Sequence, residues 1–85
     1  MNAEAALARA KNAEQIINDP LVAAVLDGIE RKWVDAIVAS PVADAEGREL
    51  AYRMFKAVQQ FRDEFAAMIG DGKIAAAELE RSNRD

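Results

Sequence analysis

The sequence predicts an all-α protein: a long antiparallel helical hairpin with an N-terminal helix and a short C-terminal helix. Three observations carry this. Residues 48–69, RELAYRMFKAVQQFRDEFAAMI, place Ala51, Met54, Val58, Phe61, Phe65 and Met68 at alternating steps of three and four. That is the spacing of an amphipathic helix. Val22, Leu26, Ile29, Trp33 and Ile37 repeat the pattern earlier in the chain. Both prolines, Pro20 and Pro41, fall outside these runs and beside residues that cap helices.

Taken in order, residues 1–18 read as an Ala-rich helix with a thin apolar stripe of Ala3, Leu7, Ala10, Ile16 and Ile17. A helix this short is marginal in water and needs a docking surface. Asn18-Asp19-Pro20-Leu21 then punctuates the chain. The residue before proline avoids the α region, and proline suits the first turn of a new helix. Residues 20–39 form the first arm of the hairpin. Gly28 costs this arm about 1 kcal/mol of helix propensity relative to alanine. With Ala24 it makes a small-residue patch that another backbone could approach. Ser40-Pro41 ends the arm, and Asp44 caps the second arm, residues 44–69. Gly70 is read as its left-handed C-cap. Gly70-Asp71-Gly72 is read as a tight corner before a short helix over 73–80, anchored by Ile74 and Leu79. Residues 81–85 are a polar tail. The whole is expected to be a single small helical domain, with Leu26, Ile29, Trp33, Met54, Val58, Phe61 and Phe65 as its core.

Composition narrows the function. The 85 residues contain no Cys and no His, and Ser occurs only at Ser40 and Ser82. With two Ser near turns and no His or Cys, the sequence shows no nucleophile set beside a base. Gly70-Asp71-Gly72-Lys73 is no phosphate loop, because Ala67 stands where the motif needs its first glycine and Ile74 where it needs Ser or Thr. No enzyme activity, no cofactor and no metal site is expected. The net charge of −4 argues against binding duplex DNA through phosphates.

Several marks occur together: Asn18-Asp19-Pro20-Leu21, Trp33, Ser40-Pro41, then Asp44-Ala45-Glu46-Gly47-Arg48-Glu49, and finally Gly72-Lys73. Across residues 13 to 79 the chain resembles small helical accessory proteins encoded among the structural and packaging genes of tailed bacteriophages and prophages. The hairpin also looks like the oligomerisation core of phage small terminase subunits, without their separate DNA-binding helix-turn-helix. The resemblance implies a self-assembling structural or DNA-packaging accessory protein, acting in the cytoplasm of a bacterial host or in the virion. It implies no catalytic residues. Ala24, Val25 and Gly28 are smaller than the residues expected at those positions in such proteins.

A two-helix hairpin is one layer thick and leaves part of its apolar stripes uncovered. Leu21, Ala24, Val25, Gly28, Phe55 and Ile69 are therefore expected to meet another copy or a phage partner protein. The alternative is a small acidic inhibitor or regulator that binds one protein partner. No membrane association is expected. The composition also yields a direct test. A mobility shift with duplex DNA at low salt is expected to show weak binding or none; tight binding that weakens steeply with added salt would contradict the reading.

Overall fold

The computed structural model describes residues 2–84. They form three helices and no strand: α1 (Ala3–Ile17), α2 (Pro20–Ala39) and α3 (Ala45–Asn83). Local chemistry accounts for the boundaries. The Asn2 side chain accepts a hydrogen bond from the Ala5 amide at 2.7 Å, satisfying one free donor at the start of α1. The Asn18 amide donates to the Glu14 carbonyl and closes the helix. Asp44 opens α3, its carboxylate accepting from the Gly47 amide at 2.9 Å. A β-carbon at position 47 would press on that carboxylate, the movable end of a side chain.

The connection between α2 and α3 is held by one side chain. Arg48 donates to the carbonyls of Pro41 at 2.7 Å and Val42 at 3.0 Å, and to the Ser40 hydroxyl at 3.4 Å. Ser40 in turn donates to the Ile37 carbonyl at 2.7 Å. The arginine fork thus satisfies carbonyls just beyond the end of α2, which have no helical partner.

The expected corner at Gly70-Asp71-Gly72 and the separate helix over 73–80 do not form. α3 continues through them to Asn83, and no described glycine has a positive φ. Two glycines weaken a helix by about 1 kcal/mol each. Ala75, Ala76, Ala77, Glu78, Leu79 and Glu80, all good helix formers, follow after Lys73 and Ile74. Packing supplies the stronger reason. Gly72 is buried, and a β-carbon there would run into Ala10 of α1. The glycine is a contact surface for a neighbouring helix and not a stop signal.

The chain comprises two compact units. One joins α1 to the part of α3 from Arg62 onward. Its buried residues are small: Ala10 and Ala13 on α1, Gly72 and Ala75 on α3. Leu7 and Ile69 line a recess beside them. Small side chains bury little area individually, yet they allow a close approach and many dispersion contacts. The docking surface that α1 needs is therefore this second half of α3. The other unit spans Pro20–Phe61, with α2 and the first part of α3. Leu26 and Ala51 are its buried residues, and Val22, Trp33, Ile37, Phe55 and Val58 are partly buried.

The neighbouring glycines make opposite predictions. At Gly70 a β-carbon meets nothing within 4 Å. Gly70→Ala is expected to stabilise the chain by up to about 1 kcal/mol through helix propensity. Gly72→Ala gains the same propensity but forces α1 away, so it is expected to lower the melting temperature. Thermal unfolding of both variants by circular dichroism checks this. A rise in melting temperature for Gly72→Ala would contradict the α1 contact.

Candidate functional site

Helix α3 carries a second apolar row besides the one its own chain uses. In the Pro20–Phe61 unit the inward row is Ala51, Phe55 and Val58. Leu50, Met54, Ala57 and Phe61 lie about a quarter turn away around the helix, and all four are exposed. Phe61 is 50% exposed. On α2 the inward row includes Val22, Leu26, Trp33 and Ile37, while Leu21, Val25 and Ile29 form an outward row with one-turn steps. Leu21 is 72% and Val25 52% exposed.

Together the two helices line an open groove of about 370 Å³. Its walls are Leu26, Ile29 and Trp33 from α2, and Met54, Ala57, Val58 and Phe61 from α3. Every lining side chain is apolar. Lys32 sits at the α2 side, its ammonium 5.7 Å from the Trp33 ring centroid. The groove has no converging polar groups of the kind that orient a small polar ligand.

The expected core residues are buried to different degrees. Leu26 is buried, at 8% exposure, and Trp33, Val58 and Phe65 are partly buried. Ile29, Met54 and Phe61 are more exposed and line the same groove as Leu26 and Val58. Of the expected outer flank, Leu21, Ala24, Val25 and Gly28 are exposed, and Phe55 and Ile69 are partly buried. Ile69 lines the recess beside Leu7 and Ala10, in the unit that contains α1. The inward row was obscured because Gln59, Arg62 and Gly72 occur along it, while Met54 and Phe61 mark the other row more strongly. Arg48 stands in the sequence only as one residue of the run Asp44-Ala45-Glu46-Gly47-Arg48-Glu49, and nothing in its spacing announces a clamp.

Among the described residues there is no group of three or more Asp or Glu side chains placed to hold a metal ion. No described helix is long and apolar enough to cross a membrane. Comparison with protein-family models, with curated proteins and with solved structures finds no match to this chain.

The burial pattern separates two neighbouring substitutions. Under dilute conditions, Leu26→Ala is expected to cost about 2–5 kcal/mol, because it removes a buried side chain and leaves a cavity. Phe61→Ala, at a half-exposed position, is expected to cost clearly less than Leu26→Ala. Urea unfolding of both variants measures the difference. An equal or larger cost at Phe61 would contradict the placement of that ring.

Proposed function

We propose that the chain is a non-enzymatic, self-assembling structural or packaging accessory protein, placed by its sequence resemblance in a tailed bacteriophage. One observation carries the assembly reading. In the Pro20–Phe61 unit Leu21, Val25, Ile29, Leu50, Met54 and Phe61 are all exposed, and Ile29, Met54 and Phe61 line one apolar groove. A contiguous exposed apolar patch of this kind marks an interaction surface. No large side chain among the described residues is completely buried. Packing against another subunit removes this surface from water.

In this reading, α2 and the first part of α3 form an antiparallel hairpin that serves as the assembly element. The α1 unit braces the second half of α3 and carries most of the net negative charge. Assembly requires no chemistry from the side chains, consistent with a sequence that lacks both Cys and His. The small terminase-like role is one setting for such a hairpin. The competing reading, an acidic inhibitor of a single protein, draws on the carboxylate excess of the α1 unit.

Light scattering behind size exclusion decides between them. The expected result is a defined oligomer whose melting temperature rises with protein concentration, as mass action requires. A monomeric mass with a cooperative, concentration-independent melt would contradict self-assembly and favour the inhibitor.

A further inference from the structure

We infer that the groove formed by α2 and α3 is the self-assembly surface, and that a second copy of the same groove face fills it. This deepens the self-assembly reading and rests on it. The spacing of the exposed row defines the shape of the occupant. Leu50, Met54, Ala57 and Phe61 follow steps of four, three and four. Such a row receives another helix running nearly along its own axis, with side chains seated between side chains. A flat sheet or a compact small molecule has no matching repeat. The apolar lining supplies no fixed polar groups to orient a small polar ligand.

Charge and area then select a second copy. The Pro20–Phe61 unit has six carboxylates against five basic residues, so it is almost neutral. Most of the net charge of −4 lies in the remaining chain. Copies meeting through the groove face therefore bring together the least repulsive part of the molecule. The rows are also self-complementary in size. Ala57 leaves a small gap between the bulkier Met54 and Phe61. In a twofold arrangement each chain's large side chains enter the gap of the other, giving a four-helix packing around Ala57. Covering the exposed Leu50, Met54, Ala57 and Phe61 of both copies removes apolar area from water.

The chain has one tryptophan, and it lines the groove. Its fluorescence is an internal reporter of occupancy. The experiment measures mass by light scattering and Trp33 emission across a dilution series, for the full chain and three variants. Phe61→Glu and Ala57→Glu place charge in the groove. Ile74→Glu places it at an exposed apolar position in the other unit. The wild type is expected to assemble, with Trp33 emission shifting to longer wavelength as it dissociates. Both groove variants are expected to weaken assembly at least roughly 30-fold, the scale of a hot-spot residue. Ile74→Glu is expected to leave it unchanged. Ala57→Glu changes an exposed helical position, so it preserves the test if Phe61→Glu loses helicity. An assembled wild type with both groove variants equally assembled would overturn the groove assignment alone. Weakening by Ile74→Glu equal to that by the groove variants would also overturn it. A wild type that stays monomeric throughout would overturn both this inference and the self-assembly reading.

Discussion

Helix α3 has more apolar surface than its own chain covers. Ala51, Phe55 and Val58 turn inward in the Pro20–Phe61 unit, and Phe65 and Ile69 are partly buried further along. Leu50, Met54 and Phe61 remain outside. A single helix with two apolar rows needs neighbours on two sides. The third helix, α1, offers few large apolar side chains, Leu7, Ile16 and Ile17, and it belongs to the other unit. The exposed groove follows from that shortage, and so does the proposal that another copy supplies the missing side.

The α1 unit solves a different problem with different residues. Ala10, Ala13, Gly72 and Ala75 are its buried residues, and none is large. Area burial from such residues is modest. What they provide is a close helix–helix approach in which backbone and methyl groups make many weak contacts. This arrangement tolerates loss of atoms poorly and gain of atoms worse, since the added carbon meets helix backbone or a β-carbon with little freedom to move. It also explains why Gly72 persists within a 39-residue helix without breaking it.

Much of the fold was legible in local chemistry. Asn18-Asp19-Pro20 and Ser40-Pro41 with Asp44 are strong boundary signals, because each acts through its immediate neighbours. The all-helical character follows from the apolar spacing, though the expected fourth helix over 73–80 is part of α3. The fate of Gly70-Asp71-Gly72 was not legible, because a glycine that ends a helix and one that admits a partner helix have the same local sequence. Only the position of Ala10 distinguishes them. The groove was missed for a related reason. The seam Ala51, Met54, Val58, Phe61, Phe65 and Met68 is wide, and periodicity alone does not separate its more buried members, Ala51, Val58, Phe65 and Met68, from the exposed Met54 and Phe61.

Hydroxyl-radical footprinting of the full chain, dilute and concentrated, tests most directly whether the second row of α3 is free in one chain and covered in the assembly. Met54 and Phe61 are expected to react readily when dilute and to become several-fold less reactive as mass increases. Tyr52, exposed on a different side of α3, is expected to stay reactive throughout. Assembly that leaves Met54 and Phe61 as reactive as before, or that protects Tyr52 equally, would contradict the covered-row explanation.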